Sequence, residues 1–285
     1  MARIREIRAR VVAIKKTQKI TSAMKMISAA RLARAQQAAE ASRPYGVKLR
    51  EVLASVAGNV DADAHPLLAA RPGQRRLDVV LFTSDRGLCG AFNANLIKTA
   101  QALVLASQEK YASVSVIAVG RRGRDFVRRR RIECPRAWIG IPQPTAEHAH
   151  EIAAYLIERF VSGASDEAVL VYSHFKSAVQ QVPSHLSLLP VRSPDAHEGP
   201  LIPYEIEPDP QSLLAAVLPS IVEFAVLRAL LENSASEHGA RMSAMESATE
   251  NTRELIRSLT LDMNKARQTQ ITTELSEIVA GAEAL

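Results

Sequence analysis

Aromatic residues make up only 4% of this 285-residue chain, with a single tryptophan, although apolar residues reach 47%. Alanine-rich, aromatic-poor composition suits long helices better than one large compact core, and the length allows one or two domains. Two cysteines, Cys89 and Cys134, make no disulfide framework and fit a reducing compartment. No apolar run of about 7–15 residues follows the basic N-terminus, so no secretory signal is expected. No uninterrupted apolar stretch of about 18 residues occurs, so no membrane span is expected either. An amphipathic, Arg-rich start can mimic an organelle transit peptide, but its continuation into a very long helix argues against cleavage. The phosphate-cradling pattern G-x-x-x-x-G-K-[ST] is missing.

Proline and glycine are missing where it matters most. Neither occurs between Met1 and Arg43, and from Ser220 to Leu285 there is no proline and only Gly239 and Gly281. Globular helices usually run about 8–20 residues. Much longer ones at both termini predict an antiparallel coiled coil, with the rest of the chain at one end of it, an arrangement suited to a mechanical or scaffolding role. Charge agrees. Residues 1–57 hold thirteen Lys/Arg against three Asp/Glu, while residues 209–285 hold six against eleven. The two terminal segments therefore attract each other, and the first keeps a surplus of positive charge for another partner. The stretch 58–208 is nearly balanced, with seventeen against sixteen.

Four regions follow. Residues 1–57 form the first coiled-coil helix. Ile4, Ile7, Val11 and Ile14 step by three and four, and the stripe resumes at Ile20, Met24 and Ile27; the gap breaks the heptad and predicts a local change of supercoil. Ala29, Ala30, Ala33, Ala35, Ala38 and Ala39 permit close helix approach. Pro44 is expected to kink or interrupt the helix, which resumes through Leu49, Val52, Leu53 and Val56 and stops at Gly58-Asn59. Residues 76–192 alternate strands and helices: strands at 78–83, 114–119 and 168–172, a weaker one spanning 132–139, and helices from about Asn93, at 121–130 and at 145–162. This predicts a parallel or mixed sheet covered by helices, with 180–190 as an antiparallel edge strand. Residues 193–209 are a proline-rich linker. Residues 210–285 form a second long helix. Its seam runs at alternating steps of four and three through Val217, Ile221, Phe224, Arg228, Leu231, Ala235, His238, Met242, Met245, Thr249, Thr252, Ile256, Leu259, Met263, Ala266 and Gln270. Eleven of these sixteen positions are apolar, the mark of a coiled-coil helix. About 70 residues at 1.5 Å each span roughly 100 Å. Around Gln268 to Thr273 the seam turns polar, where the helix should leave its partner and face something else.

Candidate chemistry is sparse. Gly120-Arg121-Arg122-Gly123 follows a strand but lacks dinucleotide-fingerprint spacing and reads as a strand-to-helix turn. Cys89, between Gly87 and Gly90, sits where a thiol nucleophile could stand at a helix N-terminus. Two turn glycines around a small buried apolar side chain are the better reading. The run Arg128 to Arg131 suits phosphate, nucleic acid, an acidic partner or plain solvation. It lacks interleaved aromatics, which disfavours nucleic acid. His148 and His150 do not share a helix face, so a metal site is not expected there, and His238 on the seam reads as a polar register-setter.

The N-terminal stretch Ile7-Arg8 through Lys15-Lys16-Thr17-Gln18-Lys19-Ile20-Thr21-Ser22-Ala23-Met24-Lys25-Met26-Ile27 resembles the γ subunit of F-type ATP synthases. So do Ser42-Arg43-Pro44-Tyr45 and the loop Thr83-Ser84-Asp85-Arg86-Gly87-Leu88-Cys89-Gly90. Ser236-Glu237-His238, Ala240-Arg241-Met242, Ala244-Met245, Ala248-Thr249 and Asn251 match the family's C-terminal helix, as do Asn264-Lys265-Ala266-Arg267-Gln268, Ile271-Thr272, Glu274-Leu275 and Glu277-Ile278-Val279 with Gly281. The match is collinear over nearly the whole chain. Glu250 and Thr252-Arg253 depart from it, and the cysteine-bearing insertion of chloroplast forms is missing, so thiol switching of that kind is not expected.

The resemblance implies an α/β plus α fold: a long antiparallel coiled coil of terminal helices with a central Rossmann-like α/β domain as foot. It implies a rotating central stalk that couples proton (or sodium) flow through the c-ring to conformational cycling of the catalytic β subunits. Partners would be the α and β subunits, ε and the c-ring, with one copy per complex. Membrane association would be indirect, on the cytoplasmic face of the bacterial inner membrane. The subunit itself would be non-catalytic, without cofactor or metal. By match, Met24, Lys25, Arg267, Gln268 and Thr272 contact the α/β ring, and Arg86, Gly87, Cys89 and Gly90 form the structural turn of the central domain. The competing readings are a nucleotide-dependent enzyme on the α/β unit, disfavoured by the missing phosphate loop, and a basic coiled-coil protein binding nucleic acid, disfavoured by the acidic third segment.

Overall fold

The computed structural model describes residues 2–57, 65–71, 75–192 and 209–283. Helix α1 (Ala2–Ala57) is followed by β1 (Arg76–Phe82), α2 (Phe92–Ser107), β2 (Ser113–Val119), α3 (Arg121–Arg130), β3 (Ala137–Trp138), α4 (Ala146–Val161), β4 (Glu167–Phe175), β5 (Gln181–Leu189) and α5 (Pro210–Glu283). The chain divides into two compact units, Ala29–Ala240 and Met1–Ser28 with Arg241–Leu285. The proline-rich stretch 193–208 and the expected stop at Gly58-Asn59 lie outside the described residues.

In the larger unit the five strands form one mixed sheet in the order β3-β2-β1-β4-β5. β1 pairs in parallel with β2 and β4, β2 with β3, and β5 joins β4 antiparallel at the edge. Strand alternation gives the sheet two apolar faces. Val79 and Leu81 of β1 and Val116 of β2 meet Phe92, Leu96 and Ala100 of α2 and Phe126 and Val127 of α3. Val80 and Phe82, with Ile117, Val119 and Leu170, meet Ile152, Leu156 and Phe160 of α4. The split follows from handedness. Right-handed crossovers place α2 and α3 on one face while the strands step from β1 to β3. The return to β4, on the other side of β1, puts α4 on the opposite face.

The first part of α5 completes that second face. Asp209 caps the helix: its Oδ1 accepts from the amides of Gln211 and Ser212, both at 2.9 Å. These bonds, led by the Ser212 hydroxyl, hold its carboxyl below the usual range. Pro210 at the first helical position needs no amide partner. Leu214, Leu218, Val222 and Val226 are buried in the sheet core, so this segment of α5 buries a second face that the single-seam reading does not contain. By length and composition alone α5 is apolar enough to cross a membrane, and 33% of its most apolar stretch is buried.

Two expectations for α1 need correction. The helix runs through Pro44 without interruption. Pro44 is exposed, so water can satisfy the carbonyl one turn back. Beyond it, Gly46 lies so close to Phe224 that a Cβ would enter the ring, Tyr45 meets Phe224 edge-on at 5.6 Å, and Leu53 is core. Packing on the far side of the proline outweighs the one lost hydrogen bond. The seam is also unbroken. In the smaller unit Ile4, Ile7, Val11, Ile14, Gln18, Thr21 and Ser28 face inward, whereas Ile20 and Ile27 are 59% and 53% exposed. Polar residues carry the register where apolar ones were sought. In the larger unit the same spacing continues through Leu32, Ala35, Ala39, Ser42, Gly46, Leu49 and Leu53.

A buried ion pair ties α4 to β1. Arg159 donates Nε to Asp78 Oδ2 at 2.7 Å and a terminal nitrogen to Oδ1 at 3.0 Å, and Ser115 donates to Oδ1 at 2.5 Å. Asp78→Ala would leave a largely buried guanidinium without its anion and should lower stability by about 3 kcal/mol in urea melts. Adding Arg159→Met should recover most of that loss.

Candidate functional site

The loop after β1 is built by polar bonds rather than by apolar packing. Ser84 accepts at Oγ from Asn93 Nδ2 at 2.8 Å and donates to the Arg86 carbonyl at 2.6 Å, while Asn93 Oδ1 accepts the Ser84 amide at 3.0 Å. Asn93 Nδ2 also reaches Cys89 Sγ at 3.1 Å. Cys89 is 2% exposed, and Leu88 and Gly90 adopt left-handed backbone, φ 62° and 56°. A thiol in that position is a packed turn residue. It is held by the Asn93 amide, the Ser84 hydroxyl and the Arg86 carbonyl.

Asp85 joins three strand ends. Its Oδ1 accepts from the amide of Arg121 at the start of α3 (2.8 Å), and its Oδ2 from the amide of Gly140 after β3 (2.7 Å). Thr83 donates to the Val119 carbonyl and accepts the Gly123 amide at 2.8 Å. Gly120, at φ 106°, lies against the Thr83 carbonyl so closely that a Cβ would overlap it. Thus Gly120 and Gly123, read in sequence as a turn, fit α3 tightly over the end of β1. The N-terminus of α3 is occupied by the chain's own carboxylate, leaving no open phosphate cradle there. Of the expected turn residues, Cys89 and Gly90 shape the backbone, and Gly87 faces the Arg122 guanidinium. Asp85 and Asn93 carry most of the bonds; a lone Asp after a strand and an Asn at a helix start were the available signals.

His148 and His150 go separate ways, to Thr145 at 2.5 Å and to Glu223 at 3.0 Å. Among the described residues no group of three His, Cys, Asp or Glu side chains could hold a metal ion.

In the smaller unit Thr21 and Thr249 share a hydroxyl hydrogen bond at 2.8 Å, and Lys25 donates to Glu246 at 2.6 Å. Partner numbers fall on α5 as they rise on α1, so these segments run in opposite directions. Met245 is buried, and Thr249, Thr252, Ile256, Leu259, Met263, Ala266 and Gln270 are half-buried at the predicted seam spacing. From Ile271 to Ala280 every residue is exposed. Met24 is half-buried, and Arg267, Gln268 and Thr272 are exposed. Thr272 donates to the Gln268 carbonyl at 3.0 Å. Lys25 is 39% exposed and Glu246 60%. A pair so open to water contributes about 0–1 kcal/mol, so a competing carboxylate could take the lysine at little cost. Glu246 was missed because no sequence pattern names a partner more than two hundred residues away.

A family described as ATP synthase matches residues 3–285. The ATP synthase gamma chain of Anaeromyxobacter sp. (strain Fw109-5) is 49% identical over 290 residues, covering 100% of both chains. The chain belongs to the ATP synthase γ family. Among solved structures, the central stalk and c-ring of Tetrahymena thermophila mitochondrial ATP synthase matches with TM-score 0.61 and 25% identity, covering 80% of this chain and 99% of the other. A chain of the Euglena gracilis mitochondrial enzyme in rotational state 3 shares the fold, with TM-score 0.68, 24% identity and coverage of 99% and 94%. The γ family thus accounts for the mixed sheet between an N-terminal and a long C-terminal helix.

The strand-end geometry separates two glycines. Gly120→Ala forces a left-handed alanine into a carbonyl and should cost about 3 kcal/mol in thermal or urea unfolding. Gly87→Ala meets only the mobile end of Arg122 and should stay within about 1 kcal/mol.

Proposed function

We propose that this central-stalk subunit of ATP synthase works as a stiff rotor, coupling transmembrane proton (or sodium) flow through the c-ring to conformational cycling of the catalytic β subunits. The observation that carries the reading is the register of the two terminal helices. Thr21 bonds Thr249 and Lys25 bonds Glu246, inward-facing positions recur at three-four spacing over 4–28 and 245–270, and α5 then continues, exposed, beyond them. Such a pair is read as an antiparallel coiled coil. A helical pair transmits torque because its backbone bonds and seam resist bending, and it needs no catalytic group.

In this reading residues 1–57 and 210–285 are the coiled-coil helices, and 76–192 is a Rossmann-like foot domain, supported by the doubly wound strand order. Residues 193–209 serve as linker. The subunit is non-catalytic alone and needs no cofactor. One copy sits within the ring of α and β subunits, with ε and the c-ring at the foot, and associates indirectly with the cytoplasmic face of the bacterial inner membrane. Met24 and Lys25 meet β-subunit loops, and Arg267, Gln268 and Thr272 make polar contacts higher in the ring. Arg86, Gly87, Cys89 and Gly90 serve structure only. The nucleotide-enzyme reading loses support because Asp85 fills the α3 terminus. A nucleic-acid reading has no stacking platform along the arginine run.

Reconstitution with purified α and β subunits tests the role. One copy of the chain should co-elute with the ring and raise steady ATP hydrolysis; separate elution with unchanged activity would refute the assignment. A charge swap tests Lys25. Lys25→Glu should reduce ATP-driven ion pumping by at least about fivefold while changing stability by less than about 1 kcal/mol. The double variant Lys25→Glu/Glu246→Lys restores the intrachain pair and should remain impaired. Recovery to wild-type pumping would assign Lys25 to that pair alone.

A further inference from the structure

A cavity of about 500 Å³ opens in the larger unit between α1, α5 and the end of β4. Its two halves differ in chemistry. Phe175, Phe224 and Leu231 supply an apolar and aromatic wall. Arg43, Arg50 and Lys176 stand around them, and their side chains make no hydrogen bond or ion pair among the described residues. Seven residues apart, Arg43 and Arg50 lie on one face of α1, about 10 Å apart along its axis. The close packing of Gly46 on Phe224 holds that face against the aromatic wall. The acidic lining groups do not neutralise the cations. Glu232 is already held by Arg228 at 2.7 Å and His174 at 2.6 Å, which leaves Glu40 against three cations. Like charges around a shared space repel one another, and a bound anion removes that cost. The volume falls in the range of small-molecule sites, about 300–1,000 Å³.

We propose that this cavity binds an organic phosphate, with the phosphate between Arg43, Arg50 and Lys176 and the apolar or aromatic body against Phe175, Phe224 and Leu231. Guanidinium forks suit phosphate oxygens, and an aromatic wall rewards a base or hydrocarbon body that inorganic phosphate lacks. A nucleotide and an anionic lysophospholipid both carry this chemistry. The role goes beyond torque transmission, since a ligand here would bridge α1 to α5 and to the β4–β5 turn and stiffen the junction of the three.

The test is calorimetric titration of the full chain with ADP, with lysophosphatidylglycerol below its micelle concentration, with pyrophosphate and with adenosine. At least one organic phosphate should saturate at one per chain and bind about tenfold or more tightly than pyrophosphate or adenosine. Arg43→Gln/Arg50→Gln should weaken it by about tenfold or more. Lys176→Gln, at an exposed position, should weaken it less but measurably, whereas Arg128→Gln/Arg129→Gln on α3 should not. ADP binding identifies a nucleotide source and lysolipid binding a lipid source; either supports the site. The proposal is overturned if neither saturates at millimolar concentration, if pyrophosphate binds equally well, or if the α3 variant weakens binding as much as the α1 variant.

Discussion

The packing of two very long helices at alternating steps of three and four is the constraint on which the rest depends. A lone helix of 56 or 74 residues gains little from propensity and needs a partner along its length. In the smaller unit that partner surface is a narrow seam, polar at Gln18, Thr21 and Ser28, with Thr21 bonded to Thr249. In the larger unit α1 is held at Gly46, where the missing Cβ admits the Phe224 ring. The same contact explains why Pro44 does not end the helix. α5 meets the sheet through Leu214, Leu218, Val222 and Val226, so one helix serves both units with two different faces.

The chemistry of the chain follows from what this scaffold leaves open. At the strand ends, where α/β sheets commonly bind ligands, the polar groups are consumed internally by Asp85, Thr83, Ser84 and Asn93. What remains outward is short side chains on α1, an exposed α5 end from Ile271 to Ala280, and weakly held charges such as Lys25. An exposed pair worth at most about 1 kcal/mol would suit the partner exchange that the proposed rotor role asks of this surface. A buried one such as Arg159 with Asp78 suits a part that must not deform.

Much of this was readable before any coordinates. β1, β2 and β4 fall within a few residues of their expected ranges because buried apolar runs between turns are strong signals, and β5 also lies at its expected edge, whereas of the expected strand 132–139 only Ala137–Trp138 forms. The α5 seam from Met245 to Gln270 was also legible, since its half-buried positions alternate with charged ones. The α1 seam was misread between Ile14 and Ser28. There Ile20 and Ile27 point outward while Gln18 and Thr21 point inward, and hydrophobicity alone follows the wrong face. The second buried face of α5 was missed because a helix apolar nearly all round has no stripe to read. Distant partners such as Glu246 and Asp78 with Arg159 leave no local pattern at all.

Rotation is the central claim, and it is directly observable. The chain, labelled at an exposed position of its α/β domain and assembled with surface-fixed α and β subunits, should turn in one direction while ATP is hydrolysed and stop when hydrolysis stops. Sustained hydrolysis with the label stationary, in complexes shown to contain the chain, would contradict the rotor account.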